Sequence, residues 1–294
     1  MTGKILVTGA SGKLGGRIIH HLLTSYGVPA SSIVAGSRDT ARLAELAAKG
    51  VETRSVDFDD AALADSFAGI DRILIISTDR LDVPGLRLKQ HTAAVEAATK
   101  AGVGRIFYTS MPSADDSMVT FAPDHLGTEE AIKASGLAYT IFRNGWYMEN
   151  LFMALPNALA SGQWYSASGN GKLAHIARED IARAIAAGLA SPAAENITYT
   201  LTGDTARSTE EIAALASEVT GKPLAVVHLN DEQLAQGMAG AGVPAPFIPT
   251  FVSFDSNTRE GKIAMVTGDA AKLSGAPLTS LEDFLAANKA ALGA

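Results

Sequence analysis

Three glycines stand three residues apart in Gly9-Ala10-Ser11-Gly12-Lys13-Leu14-Gly15, directly after the apolar run Ile5-Leu6-Val7-Thr8. Such a run, a small-residue turn and then a helical pattern predict strand, tight turn and helix start in that order. Without side chains a backbone can approach a charged ligand closely, and the free N–H groups at a helix start carry partial positive charge. The chemistry implied is the holding of a pyrophosphate. The spacing differs from the GxxxxGK[ST] phosphate loop, which favours a dinucleotide over a hydrolysed nucleotide.

The choice of dinucleotide rests on the end of the second strand, Val34-Ala35-Gly36-Ser37-Arg38-Asp39. Enzymes using NADH commonly place an acidic residue there for the ribose hydroxyls. Arg38 instead offers directed donors to a 2′-phosphate, with Gly36 leaving room and Ser37 adding a donor. Asp39 is an opposing signal, and it equally suits the start of the next helix. The expected cofactor is NADPH (the NADP form), with NADH as the alternative. Asp57 and Phe58 after the third strand, and Ser77 and Thr78 after the fourth, are candidates for the adenine end and the dinucleotide wall.

Two further strand ends open towards the reacting side, Tyr108-Thr109-Ser110 and Phe142-Arg143-Asn144-Gly145-Trp146-Tyr147. Asn144 can orient a carboxamide or an acceptor oxygen through its donors and acceptor. Trp146 and Tyr147 can stack on a flat ring or pack a second lobe. None of the six tyrosines is followed four residues later by lysine, so the Tyr-x-x-x-Lys pair of ordinary short-chain dehydrogenases is missing. His125 and Glu129 take that separation, and His125 is a candidate proton donor or a helix-surface histidine. An easily reduced conjugated acceptor such as a quinone tolerates the loss, because orientation does most of the work and the hydride comes from the cofactor.

The elements that must position these residues follow from the pattern. Strands are expected at 5–8, 33–36, 51–57, 70–76, 105–109 and 138–142, and helices at 15–24, 40–49, 61–67, 86–100 and 124–135. Alternation of this kind implies parallel strands with helical crossovers. After Asn144 the rhythm changes. A loop and helix are expected over 146–160, bent or ended by Pro156, then a Gly/Ser-rich loop with strand pieces at 161–172. A helix at 178–189 and a strand at 197–201 can rejoin the main sheet. Capping-box spacings at Ser208/Glu211 and Thr279/Glu282 mark two helix starts. Asn230 precedes another helix, 224–228 reads as a short strand, and 239–249 is a Gly/Pro-rich break at a pocket edge. The expected fold class is α/β, a Rossmann-like doubly wound parallel sheet with a smaller C-terminal substrate lobe. Residues 1–145 form the dinucleotide domain, 175–203 rejoin it, and 146–294 are mainly the substrate-binding region.

The chain has 294 residues, 47% hydrophobic and 19% charged, with a formal charge of −7 and no cysteine. Acidity argues against nucleic acid as a partner, and the missing cysteines remove disulfides and thiolate chemistry. The six histidines form no metal-ligand spacing. With no secretory pattern or membrane-length apolar run, the expectation is a cytoplasmic protein without membrane insertion.

The glycine turn, Tyr108-Thr109-Ser110 and Leu126-Gly127-Thr128-Glu129-Glu130 together resemble the NmrA-like branch of atypical short-chain dehydrogenases/reductases. Phe142 to Asn150 and Ala167 to Lys172 narrow the likeness to the bacterial NADPH-dependent quinone oxidoreductases of type 2 and the triphenylmethane reductases. The resemblance implies that Gly9, Ser11, Gly12, Lys13, Leu14 and Gly15 surround the phosphates. It implies Arg38 at the 2′-phosphate, Ser77 and Thr78 along the cofactor wall, and Phe142, Asn144 and Tyr147 towards the nicotinamide. Lys172 would add charge from a cofactor-side loop, in which Asn170 replaces the family's frequent aspartate. The implied partner is a small planar electron acceptor, and a homodimer is allowed. Reduction of another carbonyl, an imine, an azo compound or a triphenylmethane dye is an alternative, as is a non-catalytic NAD(P) sensor.

Overall fold

A computed structural model of the chain describes residues 3–192 and 195–293. Residues 1, 2, 193, 194 and 294, which the expected segments include, lie outside the described residues. The first half alternates β1 (Ile5–Val7), α1 (Lys13–Thr24), β2 (Ile33–Ser37), α2 (Ala44–Ala48), β3 (Glu52–Ser55) and α3 (Leu63–Ser66). It continues through β4 (Arg72–Ile75), α4 (Leu86–Lys100), β5 (Arg105–Ser110), α5 (Ala122–Ala134) and β6 (Ala138–Asn144). Then come α6 (Leu155–Ser161), β7 (Gln163–Ser166), β8 (Lys172–Leu173), α7 (Arg178–Ala190) and β9 (Ile197–Leu201). The chain closes with β10 (Arg207–Ser208), α8 (Thr209–Thr220), β11 (Ala225–His228), α9 (Asp231–Gly240), α10 (Ile248–Arg259), α11 (Asp269–Ser274) and α12 (Leu281–Ala287).

Seven strands form one parallel sheet in the order β3-β2-β1-β4-β5-β6-β9. Strand order reverses between β1 and β4, which opens a crevice at the carboxyl ends of those strands. Side chains alternate across the sheet, as the two-residue strand period requires. Leu74 and Phe107 face α1 and α7, while Ile73, Ile75, Ile106 and Tyr108 face α3, α4 and α5. A third core joins Met148 and Leu155 to Ile212, Leu281 and Phe284 beneath the smaller C-terminal lobe. The α/β class with a second lobe is therefore realised. Among the described residues no helix is long and apolar enough to cross a membrane.

Several boundaries differ for local reasons. The helix expected at 40–49 splits, because the Asp39 side chain accepts from Ala41 N–H and tightens Thr40–Leu43 into a 3-10 turn before α2. The one at 61–67 shortens to α3. Pro156 lies in the first turn of α6 and opens that helix instead of ending it, consistent with a residue whose missing N–H is harmless there. Ser208 and Glu211 make the expected capping box, and Asn230 makes one with Gln233. At α12 the cap is Ser280, which accepts from Asp283 N–H, while Thr279 N–H donates to Asp180.

Candidate functional site

The first turn closes as its sequence predicts. Gly9 has φ +60°, a region open to glycine, and its carbonyl accepts from Gly12 N–H at 2.9 Å. A Cβ on Gly15 would run into the Gly9 carbonyl and lie 2.9 Å from Ala10 Cα, so helix and turn touch backbone to backbone. Gly12 caps α1 with no side-chain bond, and the first turn contains no acidic residue. The N–H groups at this helix start are therefore not covered by a capping side chain, and the positive helix end faces the crevice. This glycine cradle fits a pyrophosphate.

Ser11 and Ser37 hydroxyls meet at 2.9 Å and tie the turn to the end of β2. Arg38 is exposed next to them, as is Lys13. Asp39 accepts from Ala41 N–H at 3.0 Å through one carboxylate oxygen, which ties it to the start of the next turn. Gly36 serves a different purpose from the one expected. Its Cβ would meet Val56 Cγ2 at 2.8 Å, so its smallness lets the sheet interior pack. Asp57 accepts from Asp59 N–H at 3.1 Å in the turn after β3, and Phe58 packs partly on the core.

Beyond β4, Ile76 N–H donates to Thr8 Oγ1 at 2.9 Å, Ser77 N–H to Thr109 Oγ1 at 2.9 Å and Thr78 N–H to His91 Nε2 at 2.9 Å. Behind them lies a buried polar cluster that the motif search missed. His91 Nδ1 meets Thr128 Oγ1 at 3.0 Å, and Thr128 donates to Asp124 C=O at 2.6 Å. Burial first, then the Arg87 guanidinium, depress the His91 pKa to about 3. His125 departs from its expected catalytic role. It is 3% exposed, with Nε2 accepting from Arg87 Nη2 at 2.8 Å and Nδ1 against Tyr108 OH at 2.8 Å. Both ring nitrogens are engaged inside the protein, and burial pushes the ring's pKa well down. Arg87 itself is buried, stacks over Phe121 at 4.9 Å and leaves Nε without a partner among the described residues. Polar residues interrupting the apolar stripes of α4 and α5 were the only sequence signal for this cluster.

At the other end of the crevice Asn144 closes β6, and Gly145 N–H donates to Leu201 C=O at 2.7 Å. Asn144 is buried and leaves Oδ1 without a partner among the described residues. Burial raises the Tyr147 pKa, and Arg178 lies 4.7 Å from its ring centroid. Trp146 packs edge-on against Phe254 of α10 at 4.4 Å, which makes it a lobe contact. The Phe142 ring is fully buried between Phe107 and Tyr199, at 6.2 and 6.0 Å. Its side chain therefore belongs to the core and not to the nicotinamide side. Lys172 pairs with Glu211 at 3.1 Å on an exposed edge, so its charge is already matched. Its loop is held from behind by Asp255, which accepts from Ala167 N–H at 2.6 Å, and by Arg259, which donates to Ala167 C=O at 2.6 Å.

The solved NADPH-dependent quinone oxidoreductase of Escherichia coli, complexed with NADPH, superposes with a TM-score of 0.91 at 35% identity. The match covers 96% of this chain and 99% of that one. The Citrobacter sp. triphenylmethane reductase complexed with NADP(H) gives 0.90 at 34% identity, over 97% and 100% of the two chains. The NAD(P)H azoreductase of Xenophilus azovorans is 30% identical over 99% of both chains. The model of the NmrA-like family matches residues 1–285. With a match of that extent, the chain belongs to the NmrA-like family.

Proposed function

We propose that this chain is an NADPH-dependent oxidoreductase that passes hydride to a small planar conjugated acceptor of the quinone type. The observation that carries the reading is Asn144. Its carboxamide is buried at a strand end of the same sheet edge as the glycine turn, with Oδ1 unpartnered among the described residues. A buried acceptor without a donor is costly unless a ligand N–H or O–H supplies one, and the nicotinamide carboxamide has such a donor.

In this reading the start of α1 holds the pyrophosphate, Arg38 and Lys13 hold the 2′-phosphate side, and Ser77 and Thr78 form the wall. Residues 1–145 with 175–203 make the cofactor half, and 146–294 mainly the acceptor half. NADPH held by these residues would supply hydride to the conjugated acceptor, with one proton from solvent balancing the charge of the reduced product. Asn144 and Tyr147 orient the rings. The relatives named above, a quinone oxidoreductase, a triphenylmethane reductase and an azoreductase, support an acceptor of this chemistry.

Anaerobic mixing with NADPH and a panel of quinones, azo compounds and triphenylmethane dyes tests the reading. The expected result is protein-dependent loss of reduced-cofactor absorbance, stoichiometric with quinone and fastest for quinones. Tight NADPH binding with no turnover across the panel overturns it in favour of a dinucleotide sensor.

A further inference from the structure

The parallel ladder of β4 ends at Ile75, yet the next three backbone N–H groups are all pinned. Each pin is a side chain from a different element: Thr8 after β1, Thr109 on β5 and His91 on α4. The first two are hydroxyls, which can rotate to donate or accept. The third is an imidazole, and its direction is fixed by its neighbours. Thr78 N–H can only donate, so Nε2 carries the lone pair and Nδ1 carries the proton. That proton goes to Thr128 Oγ1, whose own hydrogen is committed to Asp124 C=O. The Arg87 guanidinium, which ends on His125 Nε2, opposes any second charge on this ring.

We propose that His91 is a positioning residue for the cofactor wall, acting as a one-way acceptor that fixes the Thr78 peptide and so the Ser77–Thr78 face presented to the dinucleotide. The proposal rests on the reading of Ser77 and Thr78 as part of the dinucleotide site. His91 touches neither cofactor nor acceptor. It acts through one peptide group, and the rest of its ring packs between α4, α5 and Tyr108, 5.6 Å from that ring's centroid.

Two isosteric substitutions separate positioning from packing. His91→Gln places an amide oxygen near the Nε2 position and keeps an acceptor for Thr78. His91→Asn places its amide near the Nδ1 position, keeps a partner for Thr128 and removes that acceptor. Hydrogen–deuterium exchange of the peptide covering residues 74–80 reads the pin with no cofactor present. Fluorescence titration with NADPH, together with KM and kcat, reads its consequence. The expected result is faster exchange at Thr78 in H91N, with Kd and KM for NADPH raised about tenfold, the weight of one buried donor left unpaired. Its kcat at saturating NADPH should fall by less than about threefold, because uniform binding is what is lost. H91Q should stay within about threefold of wild type on every measure. Equal losses in H91N and H91Q overturn the proposal, as does faster exchange without weaker NADPH binding. If H91N does not fold, His91→Met, which keeps the bulk and lacks a strong acceptor, is read in its place. Wild-type protein that binds no NADPH overturns the dinucleotide reading, and this proposal with it. Normal wild-type binding with an unchanged H91N overturns this proposal alone.

Discussion

Arg143 on β6 grips both carboxylate oxygens of Glu129 on α5, Nε to Oε1 at 2.9 Å and Nη2 to Oε2 at 2.8 Å. Glu129 is fully buried, and it also accepts the Ser110 hydroxyl at 2.7 Å. It stands four residues after His125, the separation at which ordinary short-chain dehydrogenases carry the lysine of their pair. A carboxylate therefore occupies that place, and Ser110 directs its proton into it. Neither residue is left to donate to a substrate carbonyl. The arrangement agrees with an acceptor that needs orientation more than acid catalysis.

Arg143→Met leaves a buried carboxylate without its fork of donors. Breaking one side of such a pair costs about 3–5 kcal/mol, so the variant should lose that much in urea denaturation, and Arg143→Lys distinctly less. The pair also sets an acid limit. Desolvation raises the Glu129 pKa, and the bonds from Arg143 and Ser110 outweigh it, leaving the pKa below its ordinary 4.5. A lowered carboxylate stabilises the fold above the unfolded value and loses that contribution as pH falls below it. Wild type should therefore weaken below about pH 4.5, and this part of the acid dependence should vanish in Glu129→Gln with Arg143→Met.

Three buried imidazoles act over a higher pH range. Burial depresses His91 to about 3 and His175 to about 4, and His125 well below its ordinary 6.5. A neutral buried base favours the fold while the unfolded chain is also neutral. As pH drops below 6.5 the unfolded chain takes up protons that the native one refuses, and stability declines until the folded values are reached. Each ring contributes up to about 1.4 kcal/mol per pH unit in that window. Urea midpoints measured from pH 7.5 to 4.5 should show the decline, and His175→Gln should remove one proton from its slope. A flat profile over that range would contradict the neutral rings.

Arg38 tests the cofactor assignment. It is exposed at the end of β2, and its acidic neighbour Asp39 is engaged with Ala41 N–H. Charge-assisted hydrogen bonds to a phosphate contribute about 1.5–3 kcal/mol, so Arg38→Ala should lower kcat/KM for NADPH by roughly ten- to a hundredfold and leave NADH nearly unchanged. An unaltered ratio of the two cofactors sinks the role of Arg38.

The parts legible in the sequence were those fixed by local rules. The turn at Gly9 to Gly15, the alternation around Leu74 and Ile75, and the capping box at Ser208 depend on residues a few positions apart, whereas the box expected at Thr279 gives way to a cap at Ser280. What stayed hidden depends on contacts between distant elements. Spacing alone could not tell that Gly36 faces Val56, that Phe142 lies beneath α7, or that Lys172 has found Glu211. His125 is the clearest instance. Its interval to Glu129 suggested chemistry, while its surroundings, Arg87 from α4 and Tyr108 from β5, decide that it is an interior group.

The contact that hides Phe142 makes the last prediction. Gly188 of α7 sits directly over that ring, and a Cβ there would lie 2.8 Å from Phe142 Cζ. The ring cannot yield sideways, because Phe107 and Tyr199 stack on it from either side. Gly188→Ala therefore gains helix propensity of about 1 kcal/mol and meets overpacking of about 1–3 kcal/mol, so destabilisation should win in urea denaturation. Phe142→Leu shortens the side chain beneath it and should restore part of the loss in the double variant, which makes the two changes non-additive. Phe142 also lies two residues before Asn144 on β6, so G188A should raise KM for the acceptor before the fold is lost. Additive stability effects in the double variant would show that α7 meets the sheet elsewhere.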